Sequence, residues 1–260
     1  GERRTMPQLK ARITSQRQTG PRYFKMNFSA PSIARKASPG QFVSIRVSGA
    51  DAPLLRRPFG IHRVKGKDVE ILYEVLGSGT ETLARLKAGS LLDVLGPLGN
   101  GFVFQAKQPR AVLIAGGMGV APLVFLAEKL KECAPIVLLG ARTEKQILCE
   151  KEFKKLGCKV IMATDDGSKG HRGPVTNLWQ QAFAGQAQKP ALVYACGPKP
   201  MLREVARLAR RQRVAAQVSL EEHMACGIGA CLGCVVSTVE GYRRVCKEGP
   251  VFEADQIIWE

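Results

Sequence analysis

Three things are scarce in this chain, and each narrows what it does. Aromatic side chains are 6% of its 260 residues; nucleic-acid binders more often interleave a basic stripe with aromatics, so no nucleic-acid partner is expected. Long apolar runs are missing. The runs present are strand-sized, as in Ala111–Ala115, against the ~20 residues of a membrane-spanning helix. No membrane partner is therefore expected, and a cytoplasmic location is. The start, Gly1–Lys10, is basic and has no apolar segment of the secretory kind. Met6 is a candidate start, with Gly1–Thr5 an addition or the product of an upstream start. Acidic residues are also few, 22 against 39 basic, for a net charge of +17. The excess is +12 over residues 1–110 and +9 over 111–217, then reverses to −4 over 218–260. Such a surface suits phosphates or an acidic partner.

With 45% hydrophobic and 23% charged residues, the chain is an ordinary core-forming one. From about Gln8 to Phe104 it reads as short strands broken by Gly and Pro. Gln41–Val47 alternates apolar with polar residues and Val69–Val75 does so approximately, the two-residue period of a strand, and Leu91–Leu95, ended by Gly96-Pro97, is another strand. One helix, Thr80–Lys87, interrupts them, with Gly89 as its stop. Many short strands in about a hundred residues predict an antiparallel barrel. After Pro109 the rhythm changes to strand–helix alternation: strand 111–115, helix 122–131, strand 136–139, helix 144–156, strand 159–163, strand 191–195, helix 201–211. That pattern predicts a doubly wound parallel sheet. A compact Gly-rich tail follows from Gln217. The expected domains are 7–107, 108–217 and 218–260.

Eight cysteines divide into two groups. Cys133, Cys149, Cys158 and Cys196 are scattered among apolar neighbours, as small hydrophobes are. Cys226, Cys231, Cys234 and Cys246 crowd together as C-x4-C-x2-C-x11-C, whose first three match a plant-type ferredoxin start. Four soft thiolates around two irons make a [2Fe–2S] centre, and the interspersed glycines let backbone N–H groups turn towards the sulfurs. A structural zinc site is the alternative, though such sites usually pair two C-x2-C knuckles and only one is present.

Two further motifs point to phosphates. Gly116-Gly-Met-Gly-Val-Ala-Pro122 directly follows a buried strand; Gly117 and Gly119 let backbone approach phosphate, and Pro122 suits a first helical turn. Two later strand ends, Thr164–Ser168 and Cys196-Gly197-Pro198, add to a nucleotide site, because ligands of doubly wound sheets sit beyond the carboxyl ends of the strands. In the barrel, Arg56-Arg-Pro-Phe-Gly-Ile61 and Gly77-Ser-Gly-Thr80 offer a guanidinium and a helix start to a pyrophosphate. Taken singly, each is also an ordinary turn, edge or cap.

In order, these motifs resemble the ferredoxin–NADP reductase superfamily and, within it, the electron-transfer subunits of NAD-linked dihydroorotate dehydrogenase. The likeness runs from about Pro7 to the end, and Ser219–Cys234 and Thr164–Gly170 are its most specific pieces. It implies a flavin barrel in which Arg57, Pro58, Phe59, Gly60, Leu72, Tyr73, Glu74, Gly79 and Thr80 contact FAD. It also implies an NAD domain using Gly117, Gly119, Cys196, Gly197 and Pro198, and a [2Fe–2S] tail held by Cys226, Cys231, Cys234 and Cys246. Gly60 departs from the usual Ser, so a backbone N–H or water is expected to replace the hydroxyl. Electrons would enter singly through the cluster, collect on FAD and leave as hydride to NAD+. The donor implied is a separate FMN-bearing catalytic subunit in a two-plus-two heterotetramer; no group in this chain is expected to oxidise dihydroorotate. Some relatives carry aspartate for the first cluster cysteine, and Cys226 favours the dihydroorotate branch. The alternatives are the flavin/iron–sulfur subunit of another NAD(P)H-linked reductase, of ferredoxin–NADP or sulfite reductase type, and a zinc-stabilised basic binding module. Cys196 faces nicotinamide or is inert, Asp165 and Asp166 bind ribose or cap a turn, and Arg142 is a candidate 2′-phosphate contact. His62 and His171 read as structural. His223 reads as a surface histidine, and the arginines of helix 201–211 as a solvated face.

Overall fold

The structure is a computed structural model and describes residues 8–47, 54–105, 110–183 and 192–259. The expected domain start at Pro7, the 107/108 junction, Met6 and the first residue of the strand at 191 lie outside them. Six antiparallel strands close a barrel: β1 (Gln8–Gln18), β2 (Tyr23–Ser29), β3 (Phe42–Arg46), β4 (Arg57–Lys65), β5 (Asp68–Glu74) and β6 (Leu91–Leu98), in the order β1-β2-β5-β4-β3-β6. Closure comes from β1 pairing with β6, Gln8 opposite Leu95 and Arg12 opposite Leu91. Inward residues such as Ile13, Met26, Phe28, Ile45, Ile61 and Ile71 are buried. Each such side chain contributes roughly 1.5–3 kcal/mol by leaving water. The helices α1 (Pro31–Ala34) and α2 (Ser78–Arg85) are short connections.

The second unit is a sheet with the order β10-β9-β8-β7-β11-β12-β15. Its strands are β7 (Ala111–Gly116), β8 (Ile136–Ala141), β9 (Lys159–Thr164), β10 (His171–Arg172), β11 (Leu192–Cys196), β12 (Ala216–Ser219) and β15 (Val251–Glu253), with helices α3 (Val120–Lys129), α4 (Glu150–Lys155), α5 (Trp179–Phe183) and α6 (Lys199–Gln212). β13 (Val235–Thr238) and β14 (Gly241–Arg244) form a separate hairpin. β7 is buried along its whole length because both sheet faces are covered. Val112 and Ile114 pack in one core, Ala111, Leu113 and Ala115 in the other with α3. The winding reverses between β7 and β11, where ligand crevices form in such sheets.

Two departures from expectation carry information. The helix expected over 144–156 is a 3-10 turn at Glu144–Gln146, a break, and then α4. Ser168 Oγ accepts the Glu144 N–H at 2.7 Å, and Ile147 and Leu148 pack into the sheet core, which draws the chain out of helical register. The tail also reaches beyond its cysteines: β15 runs antiparallel to β12, with Val218 opposite Phe252, and adds an antiparallel edge strand to the otherwise parallel sheet.

Candidate functional site

The barrel wall, the turns after β7 and β11, and the segment following β12 enclose a cavity of about 590 Å3. β4 supplies Arg57, Pro58, Phe59 and Gly60; β5 supplies Leu72, Tyr73 and Glu74; Thr80 comes from α2. Tyr73 is fixed edge-on against Phe59, ring centres 5.6 Å apart, and stacks on Phe24 at 5.8 Å. Its O–H donates to Gln16 Oε1 at 3.2 Å, and burial raises its pKa, so it stays a neutral donor. The adjacent arginines have different jobs. Arg56 Nη2 pairs with Asp93 Oδ1 at 2.7 Å and Nη1 donates to the Asp93 carbonyl at 3.0 Å. Burial works against the Asp93 charge, but Arg56 and Lys10 hold its pKa below the usual range. Among the described residues Arg57 donates to the nearby Leu55 and Arg56 carbonyls, at 2.7 and 3.4 Å, and it lines the cavity.

Thr80 is saturated locally. Its hydroxyl accepts the N–H of Leu76 at 2.9 Å and of Gly77 at 3.2 Å, and donates to the Gly77 carbonyl at 3.0 Å. It shapes the start of α2, and Gly79 is buried beside it. A β-carbon at Gly60 would meet nothing nearer than Pro122 Cδ at 3.8 Å, so the missing serine leaves room at the wall. Flat apolar walls with a guanidinium and a helix start at one end fit a flavin and its diphosphate.

The Gly-rich turn after β7 divides its glycines between two tasks. Gly117 has φ +53° and open space around it, whereas a β-carbon at Gly119 would overlap the Cys196 carbonyl. Gly119 therefore serves close packing of the β7 and β11 turns, and Gly117 the turn itself. Cys196 is buried between these turns, opposite Ser219 of β12. Burial, then the Glu221 charge, push its thiol well above the ordinary range, against a Ser219 hydrogen bond that lowers it. Cys196 lines the cavity; Gly197 and Pro198 line a second one of about 380 Å3 between α6 and the tail. Asp166 caps a turn, accepting from the Ser168 N–H at 2.9 Å and its hydroxyl at 2.6 Å. The Asp165 and Asp166 N–H groups bind the Ala141 and Arg142 carbonyls, which puts Arg142 beside them at the strand ends.

The cysteine cluster follows the cavity in the chain. Ser219–Met224 form part of the cavity wall, and Cys226 comes two residues later. The thiols lie as neighbours in two pairs: Cys231 acts on the Cys226 thiol, and the Cys246 N–H donates to the Cys234 sulfur at 3.4 Å. Burial opposes the Cys226 thiolate, but the N–H groups of Ile228, Cys231 and Ala230 outweigh it and lower its pKa to about 6. Ala230 N lies 3.3 Å from its sulfur. Burial and the neighbouring Cys234 push Cys246 up to about 12. Gly227 and Gly229, at φ +70° and +84°, give the loop the turns that aim these N–H groups. Arg244 ties it down, donating to the Gly229 carbonyl at 2.8 Å and pairing with Glu248. Four thiols in neighbouring pairs, with N–H donors turned towards them, would hold a two-iron centre.

Met118, Ala121, Pro122 and the cavity wall at 219–224 fall within motifs visible in the sequence, but none was assigned a place at the site. Their signal was position: Met118 lies between two glycines of the turn, Ala121 and Pro122 open the helix after it, and 219–224 connects the sheet to the first cysteine. His223 is exposed along that wall, and α6 carries Arg203, Arg207, Arg210 and Arg211 on its exposed face.

Residues 221–258 match the family described as the iron–sulfur cluster binding domain of dihydroorotate dehydrogenase B, and residues 113–207 match the oxidoreductase NAD-binding domain. The chain is 42% identical over 258 residues to the dihydroorotate dehydrogenase B (NAD(+)) electron transfer subunit of Desulforamulus reducens, covering 96% of this chain and 98% of that one. Against the subunit of the same name from Geobacillus kaustophilus it is 39% identical over 255 residues, covering 95% and 96%. Among solved structures, an NADH-dependent reduced ferredoxin–NADP oxidoreductase superposes with a TM-score of 0.85 at 30% identity, covering 96% of this chain and 90% of that one. A ferredoxin–NADP+ reductase from Neisseria gonorrhoeae shares the fold, with a TM-score of 0.66 at 14% identity over 78% of this chain and 91% of that one.

Proposed function

Because the chain belongs to the family of dihydroorotate dehydrogenase B electron transfer subunits and delivers electrons to NAD+, we propose that it takes them from a separate FMN-bearing subunit that oxidises dihydroorotate. The assembly proposed is two plus two, and the compartment the cytoplasm. Among the described residues, no helix is long and apolar enough to cross a membrane. The cofactors are FAD, a [2Fe–2S] centre and NAD. When bound, the flavin trades single electrons with the iron–sulfur centre and a hydride with nicotinamide.

This chain's residues supply position and insulation. Arg57 and the start of α2 would hold the diphosphate, with Pro58, Phe59, Leu72 and Tyr73 against the ring. The turns at Gly117–Gly119 and Cys196–Pro198 would seat the nicotinamide nucleotide, and the four tail thiols would hold the irons. The boundaries 7–107, 108–217 and 218–260 are the proposed units. Around the cluster, exposed Leu232, Val235 and Tyr242 line a shallow cavity rimmed by Arg243, Arg244 and Glu248. Apolar centre and charged rim make it the proposed face for the catalytic subunit.

The observation that carries this reading is continuity: one stretch of chain, Ser219–Cys226, is cavity wall at one end and carries the first of the four clustered cysteines at the other. The test is co-expression with a dihydroorotate-oxidising partner and an assay of dihydroorotate-dependent NAD+ reduction. Turnover should appear only with both chains, and Cys226→Ser should abolish it while NADH oxidation by ferricyanide persists. Turnover unaffected by Cys226→Ser would refute the route through the cluster.

A further inference from the structure

Two residues beyond Gly60 on β4, His62 is fully buried where the barrel meets α3 and α4. Its Nδ1 lies 2.8 Å from the Ala121 carbonyl oxygen; that oxygen only accepts, so Nδ1 carries the hydrogen and donates. Its Nε2 faces two carboxylates, Glu152 Oε2 at 3.4 Å and Glu70 Oε1 at 3.7 Å. Glu152 is further held by buried Lys25 and by Arg63 Nη2 at 3.2 Å, while Arg63 Nε meets Glu128 at 2.9 Å. The joint thus gathers the barrel's Lys25, Arg63 and Glu70 and the helix carboxylates Glu128 and Glu152 around one imidazole. Ala121 stands at the start of α3, directly after the Gly-rich turn, and its neighbour Pro122 faces Gly60 across the cavity.

We propose that His62 is a positioning residue: its hydrogen bond to Ala121 registers the start of α3, and the nucleotide turn with it, against β4, and so sets the gap between the flavin and nicotinamide seats. What fills those seats rests on the function proposed above; the contact itself does not. A metal is the competing use of this place, since donor atoms of His62, Cys149 and Glu152 lie within 4.8 Å of one another. Lys25 and Arg63 already bring positive charge to Glu152, and a divalent ion beside them would be repelled.

Asparagine places an amide nitrogen near the Nδ1 position and glutamine near Nε2, so His62→Asn keeps the donor to Ala121 and His62→Gln loses it. In full-length chain, amide exchange over Val120–Ala127 should quicken at least tenfold in His62→Gln and stay within threefold of the parent in His62→Asn. In flavin-loaded chain, kcat for NADH oxidation by ferricyanide should fall at least tenfold in His62→Gln. KM for NADH should stay within threefold and flavin content should be unchanged, because misplacement by an ångström lowers rate more than binding. His62→Asn should keep kcat within threefold. The two variants behaving alike, a rate loss matched by flavin loss, or a tightly held zinc that the parent keeps and both His62 variants lose would each overturn the proposal. A parent that held no flavin would instead count against the functional reading, and the exchange comparison would still decide the hydrogen bond.

Discussion

Against α3 and α4 the barrel presents charge; against the carboxy-terminal segment it presents glycine. The first joint is the group around His62, Lys25 and Glu152. The second is a close backbone fit. The Asn100 N–H donates to the Gly249 carbonyl at 2.6 Å, and its side chain to the Glu248 carbonyl at 2.8 Å. A β-carbon on Gly99, at φ +71°, would meet Pro250 at 2.6 Å and the Gly249 oxygen at 2.7 Å. Charge specifies direction at a distance of several ångströms, whereas a glycine fit tolerates no added atom. The nucleotide unit is thus held by contacts that can be re-formed, and the iron-bearing tail by contacts that can only be present or absent.

The largest effect is expected in the charged joint. Lys25→Met removes one partner of a buried pair and should lower unfolding free energy by about 3–5 kcal/mol, the usual cost of a stranded buried charge. Denaturant titration would measure it, and iron content should be unchanged. Gly99→Ala comes next, at about 2–4 kcal/mol from overpacking and a left-handed backbone carrying a side chain. Here iron retention should fall with stability; a variant that kept its iron would show that the two joints are not separate. Within the barrel, Arg56→Ala should cost about 1–3 kcal/mol through its lost charged hydrogen bonds. Arg57→Ala should change stability by under about 0.5 kcal/mol and weaken flavin retention instead. The smallest effect is acid sensitivity at the glycine joint. Arg244 lowers the Glu248 carboxyl from 4.5 to about 2, so its contribution is complete above pH 4.5 and is lost as pH falls towards 2. Glu248→Gln should flatten the stability–pH curve across that window.

The parts legible in the sequence were those with local causes. β3 and β5 show their alternation, β7 its apolar run, and the four tail cysteines their spacing. The hidden parts depend on distant partners. Lys25 interrupts the pattern of β2 and would be assigned to solvent; it is buried because Glu152, 127 residues away, receives its charge. Glu144–Leu156 has helix-forming composition throughout, and only the loop bearing Ser168 shows why it breaks. β13, β14 and β15 are three or four residues each, too short for a period to register. At the candidate site the glycines of the turn were visible, but not that Gly119 packs against Cys196, nor that residues 219–224 form a wall.

β15 gives the tail a second role. By pairing with β12 it covers the outward row of backbone donors and acceptors on that strand. A chain cut before Val251 would leave β12 as an open edge, and open edges recruit other strands. Self-association on size-exclusion chromatography, beyond the loss of a redox centre, is the outcome expected of such a truncation.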